Sequence, residues 1–97
     1  MWEVKFTARA TKQVGRLPEK IRKSLKALVK DLELSGPIAA SWANFAKFKE
    51  RQDCYHCHLK KGRPSYVAVW RVADRGIKLI EVRYVGTHED ADYRRIC

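Results

Sequence analysis

Cys54, His56 and His58 recur at every second residue of the segment CYHCHLKKGRPSYVAVWRV. In a strand, where successive side chains alternate faces, this spacing puts all three on one face and sends Tyr55, Cys57 and Leu59 to the other. Two imidazoles on one exposed face can accept and deliver protons near neutral pH. Lys60, Lys61 and Arg63 in the turn that follows would add positive charge for an anion. The plainer alternative is a solvated cationic surface with no chemistry.

Cys54, Cys57, His56 and His58 are zinc ligands by type, but alternation separates Cys57 from the rest. No second ligand pair with C-x2-C or H-x3-H spacing occurs, so no metal is expected. His88, Glu89, Asp90, Asp92 and Tyr93 form a second group directly after Gly86, where the chain must turn. A loop at a strand end is a common place for functional residues. The structural alternative is a solvated acidic tail with Tyr93 packed on the core. Trp42, Phe45, Phe48, Tyr66 and Trp70 are of a type that stacks on bases beside basic side chains, although most of them suit a core.

These residues need elements to hold them. Trp2 to Phe6 alternates apolar and charged side chains, which predicts an opening strand. Thr7 is placed to cap a short helix with Ala10, Val14 and Leu17 on one face. Pro18 suits the first turn of a second helix, and Gly36-Pro37 stops it. Ile21, Leu25, Leu28, Val29 and Leu32 mark its apolar stripe. Residues 37–53 have no clean period, and a short strand near Phe45 to Lys49 is expected there. Three strands follow: Cys54 to Lys60, Ser65 to Ala73 and Ile77 to Val85. Their short, turn-rich connections predict an antiparallel meander. The expected class is therefore α+β, with a helical hairpin on one sheet face and the other face open.

The 97 residues have room for a single domain spanning 1–97. Twenty-one Lys and Arg against eleven Asp and Glu give a net charge of +10, which calls for a polyanionic partner. Residues 1–36, 37–73 and 74–97 carry +5, +5 and 0 of that excess. No apolar run approaches the roughly 20 residues of a membrane span, and the opening residues do not read as a signal peptide. A soluble cytoplasmic protein without a membrane partner is expected. Three cysteines make an odd set, so reduced thiols are expected and not a disulfide framework.

The order strand, helical hairpin, meander, with CYHCHLKKGRPSYVAVWRV and then IKLIEVRYVGTHEDADY, resembles the RelE/ParE superfamily of toxin-antitoxin toxins, closest to its RelE and HigB-like branch. The similarity runs over nearly the whole chain, from the FTARA and RLPEKIRKSL segments to the closing Tyr. It implies a ribosome-associated endoribonuclease that cuts mRNA without metal or cofactor and is held by a cognate acidic antitoxin. In that mechanism the ribose 2′-OH attacks the adjacent phosphate, which requires a base, an acid and positive charge. By the resemblance, His56 and His58 stand where relatives carry basic residues on the first meander strand. His88 stands at a position that is Arg or His in active relatives, and Tyr93 corresponds to their C-terminal Tyr. Arg63 joins these as a catalytic candidate, with Lys47, Lys49, Lys60, Lys61 and Arg83 for phosphates. Relatives commonly have Arg early in the middle strand, where this chain has Val67; Arg63, Arg71 or Arg83 would have to supply that charge. The alternative within the superfamily is a non-catalytic, ParE-like inhibitor with the same fold.

Overall fold

The computed structural model describes residues 1–49 and 52–97. Its elements run β1 (Glu3–Phe6), α1 (Ala8–Val14), α2 (Glu19–Ser35), β2 (Ala46–Lys47), β3 (Cys54–Lys60), β4 (Tyr66–Asp74), β5 (Leu79–Thr87) and α3 (Tyr93–Ile96). The sheet order is β1-β5-β4-β3-β2. The β3-β4-β5 meander is antiparallel, β2 adds antiparallel to β3, and β1 runs parallel to β5.

Helix α1 starts as its sequence dictates: the Thr7 hydroxyl oxygen accepts from Ala10 N at 3.0 Å, satisfying one of the amides a helix start leaves free. Its Gln13 Oε1 accepts from Val85 N at 3.0 Å and so pins α1 to β5. Helix α2 begins after Pro18 and ends at Gly36, whose φ of 88° is a left-handed conformation that glycine adopts without strain. A Cβ there would also lie 2.9 Å from Trp2 Nε1.

Ile21, Leu25, Leu28 and Leu32 of α2 bury the expected stripe against Tyr55, Cys57, Trp70, Ile80 and Val82. Burying each leucine contributes roughly 1.5–3 kcal/mol. Trp70 is wholly buried, and its indole N–H donates to Pro37 O at 3.0 Å, so the polar atom costs nothing in the core.

Several expectations need correction. The last strand spans Leu79–Thr87 and not 77–85, because Asp74 Oδ1 accepts from Gly76 N (2.8 Å) and Ile77 N (3.1 Å) and holds those residues in the turn. The preceding strand starts one residue late, at Tyr66, and β2 keeps only two of the residues expected near Phe45 to Lys49. The sheet face away from the hairpin is not open. Cys54, Val67, Val69 and Tyr84 form a second small core there under Phe48, Ala91, Tyr93, Ile96 and Cys97. Nor are all the thiols free: Cys54 and Cys97 form a disulfide, leaving only Cys57 reduced. The chain end folds back across the sheet as α3 and brings Cys97 to Cys54, a return that no local pattern announces.

Candidate active site

The face carrying α3 is built by register. His56 lies opposite Val69, and Val69 opposite Tyr84; His58 lies opposite Val67, and Val67 opposite Gly86. Two rows therefore cross β3, β4 and β5, with imidazoles at one end and buried valines in the middle. Simple alternation on β5 would turn Tyr84 to the same side as Val82. The register shift between Val69 and Trp70 breaks it, so Val82 faces the hairpin while Tyr84 joins the second core.

The loop after β5 returns over this floor. His88 N donates to Ser65 O at 2.9 Å, fixing the loop to the turn that carries Arg63. Ring centroids of His58 and His88 then stand 5.5 Å apart, and those of His88 and Tyr93 6.1 Å. Tyr93 leans over His56 at 5.7 Å, and Phe48 packs against both, 4.7 Å from His56 and 5.0 Å from Tyr93. Four of the five catalytic candidates from the sequence, His56, His58, His88 and Tyr93, thus come together from segments far apart in the chain.

Burial first, and then the charge that the neighbouring His58 and His88 imidazoles would share with it on protonation, holds His56 below its ordinary value of 6.5. Burial, His88 and Lys61 do the same for His58. Both rings are therefore poised as neutral bases at pH 7. Burial raises the Tyr93 phenol, with Tyr84 adding to it, so Tyr93 stays protonated. His56 Nδ1, His58 Nδ1 and Tyr93 Oη are buried without a hydrogen-bond partner among the described residues. Most buried polar atoms of native proteins are paired, with protein groups or with ordered water, so three such atoms on one face stand out.

The cationic candidates are spread more widely. Lys61 acts on His58 through its charge. Arg63 is exposed in the same turn, two residues before the Ser65 carbonyl that holds His88. Lys60 lies opposite Tyr66 at the β3 irregularity, and Lys47 opposite Tyr55, which faces the hairpin. Lys49 is exposed beyond β2. Arg83 donates to Glu81 Oε1 at 2.9 Å and lines a separate cleft of about 710 Å³ with Arg9, Lys12 and Arg16 of α1, Asp90, Asp92 and Arg95. Arg71 is exposed opposite Cys54. Val67, at the position where an Arg was sought, is wholly buried between His58 and Gly86.

Asn44 was not singled out from sequence, and Phe48 was named there only as an aromatic of base-stacking type. Asn44, with a left-handed φ of 53°, puts its amide nitrogen 3.5 Å from His58 Nε2. Phe48 shares the His56 face because Ala46, two residues earlier, pairs with His56. The sequence signal for Phe48 was its alternation with Ala46; Asn44 offered none. Among the described residues no three His, Cys, Asp or Glu side chains gather as a metal site, and the disulfide removes Cys54 as a ligand. No helix among them is long and apolar enough to cross a membrane.

No protein-family profile matches the chain, and no curated protein matches its sequence. Solved structures do match. A double mutant of the E. coli toxin RelE in the free state superposes with a TM-score of 0.76 at 24% identity, covering 97% of this chain and 90% of that one. RelE in the archaeal RelE-RelB complex from Pyrococcus horikoshii gives 0.73 at 18% identity, over 93% of this chain and 98% of that one. The intact E. coli RelBE toxin-antitoxin complex gives 0.69 at 24%, over 89% and 95%.

Proposed function

We propose that this chain, which has the RelE fold, is the toxin of a toxin-antitoxin pair and cleaves mRNA in the course of translation. The observation that carries the reading is the convergence of His56, His58, His88 and Tyr93 on the α3 face, with three buried polar atoms left unpaired. Such a set suits a ligand that supplies the missing partners.

In the proposed reaction His58, held neutral, takes the proton from a ribose 2′-OH as its oxygen attacks the adjacent phosphorus. The bond from phosphorus to the 5′-oxygen breaks, and His88 in its protonated form gives that oxygen a proton. A 2′,3′-cyclic phosphate and a 5′-hydroxyl result. Lys61, Lys60 and Arg63 on the neighbouring turn supply charge for the phosphorane-like transition state. His56 and Tyr93 flank the nucleotide, the phenol stacking or hydrogen bonding. No step calls for a metal or cofactor.

An acidic antitoxin segment is the proposed protein partner; the E. coli RelBE structure named above is a toxin-antitoxin complex. A groove on the hairpin supports it: Phe6, Val14, Leu25 and Val29 form an apolar floor, and Arg22, Lys26 and Lys30 a cationic rim. Apolar anchors would supply affinity, and the rim would speed encounter.

Val67 favours a second reading, a non-catalytic inhibitor of the ParE kind, since a buried valine takes the place of a site cation. Purified protein in a translating extract, followed by primer extension across a reporter message, separates the two. Cleavage within codons that disappears in His88→Ala supports the nuclease. Intact message with arrested gyrase supports the inhibitor.

A further inference from the structure

We propose that the Cys54–Cys97 disulfide is a thiol-responsive tether that sets whether Tyr93 stands over His56. The bond joins a strand residue two positions before His56 to the residue that closes α3. Apart from Phe48, which packs on Tyr93 from before β3, the residues that present Tyr93 to the imidazoles lie between those two anchors.

What holds α3 apart from the disulfide is slight. It has four residues, fewer than a helix needs to persist by itself in water. Asp92 at its start makes no side-chain capping bond, and none of its residues is fully buried. Tyr93 and Ile96 rest on the second core as partly buried neighbours. Removing the covalent link leaves this packing, the contacts of the Tyr93 ring with Phe48, His56 and His88, and the segment's three local backbone hydrogen bonds to hold it against its own chain entropy.

The exchange chemistry is specific about its point of entry. Cys54 is wholly buried, whereas Cys97 is partly exposed, so an incoming thiolate reaches the Cys97 sulfur. It forms a mixed disulfide there and expels the Cys54 sulfur as a thiolate, which takes up a proton. A second thiol attacks the mixed disulfide, freeing the Cys97 thiol. The reductant is a small-molecule thiol: two are oxidised to one disulfide while the protein gains two thiols. Cys57 does not compete, since it is buried on the opposite face and burial pushes its thiol up to about 12. Disulfides that form in reducing compartments are typically of this transient, sensing type.

The release has two effects, because α3 has two sides. Tyr93 packs among the imidazoles, whereas Arg95 and Ile96 line the basic cleft beside α1. Losing α3 takes the phenol from His56 and opens the wall between cleft and imidazoles. Any effect on RNA cleavage rests on the proposed function; the tether itself does not.

The test therefore reads structure and not cleavage. Hydrogen exchange and histidine ring NMR are measured on the free 97-residue chain, oxidised, reduced by dithiothreitol, and as Cys97→Ser. The expected result is that amides of Arg95, Ile96 and Cys97 exchange roughly tenfold or more faster in the reduced form, with displaced His56 ring signals. Cys97→Ser should match the reduced form with or without dithiothreitol, while β4 and β5 amides stay protected. Equal exchange and unchanged His56 signals in all three samples would overturn the proposal. So would loss of β4 and β5 protection on reduction, which would make the bond a general staple of the fold.

Discussion

Tyr93 lies across His56 with 5.7 Å between ring centroids, and neither its hydroxyl nor His56 Nδ1 finds a hydrogen-bond partner among the described residues, although both atoms are buried. An unpaired buried hydroxyl costs stability that its removal returns. Tyr93→Phe keeps the ring against Phe48 and His56, so urea unfolding should show stability unchanged or raised by up to about 1 kcal/mol. If the hydroxyl meets the nucleotide, single-turnover cleavage should fall by about 10²-fold in the same variant. Lower stability in Tyr93→Phe would mean that the hydroxyl has a structural partner.

The two strand imidazoles give stability a pH dependence of known sign. Burial holds the folded-state values of His56 and His58 below 6.5, so as pH falls through 6.5 the unfolded chain takes up protons first. Stability should therefore fall as pH drops below 6.5 and level off once the folded rings protonate. Asp53, held below its usual 3.8 chiefly by its hydrogen bond to Arg75, adds its own loss only at lower pH. Urea midpoints from pH 8 to pH 5 should slope downward in the parent and less steeply in His56→Gln. Cleavage should decline on the same acidic limb as His58 loses its capacity as a base.

Gly86 is required by the side chain that crosses it. A Cβ at position 86 would lie 2.7 Å from the Tyr84 hydroxyl oxygen, which donates to Thr87 O at 2.8 Å. Gly86→Ala should displace Tyr84, break that bond and cost about 1–3 kcal/mol by urea unfolding. Tyr84→Phe in the same chain removes the nearest clashing atom and should recover part of the loss. Additive destabilisation in the double variant would refute the steric account.

Phosphate binding by the turn after β3 should show in the salt dependence of RNA affinity. Replacing Lys60, Lys61 and Arg63 with Gln should reduce the slope of log affinity against log salt by about 0.7 for each phosphate of a single strand that the turn no longer neutralises. Filter binding at several salt concentrations measures it. An unchanged slope would show that this turn faces away from RNA.

The local patterns were legible because local physics governs them. Alternation placed His56 and His58 on one face, Thr7 marked the start of α1, and the stripe from Ile21 to Leu32 marked the buried side of α2. What the sequence hid depends on distant or irregular geometry. The Asp74 side chain moves the β5 boundary by taking two amides into the turn. The irregularity in β5 reverses the side that Tyr84 takes, against a rule of strict alternation. Cys54 and Cys97 are 43 residues apart, and nothing in the spacing announces their pairing. The folded-back C-terminus, with no long apolar stripe of its own, hid both the second core and the disulfide.

The lengths of the strands also bear on how the protein behaves in a crowded solution. The three long strands, β3, β4 and β5 with 7, 9 and 9 residues, are interior, while the margins are β1 with four residues and β2 with two. Beside β2 the outer rim of β3 is already engaged, His58 N donating to Ala43 O at 2.8 Å and Cys54 O accepting from Phe48 N at 2.9 Å. Sheets aggregate by pairing unsatisfied rims edge to edge, and short or covered rims are how natural sheets resist it. A domain rich in long β-strands thus offers little template for fibrils, and this protection is built into the backbone pairing and would survive neutralisation of its surface charge.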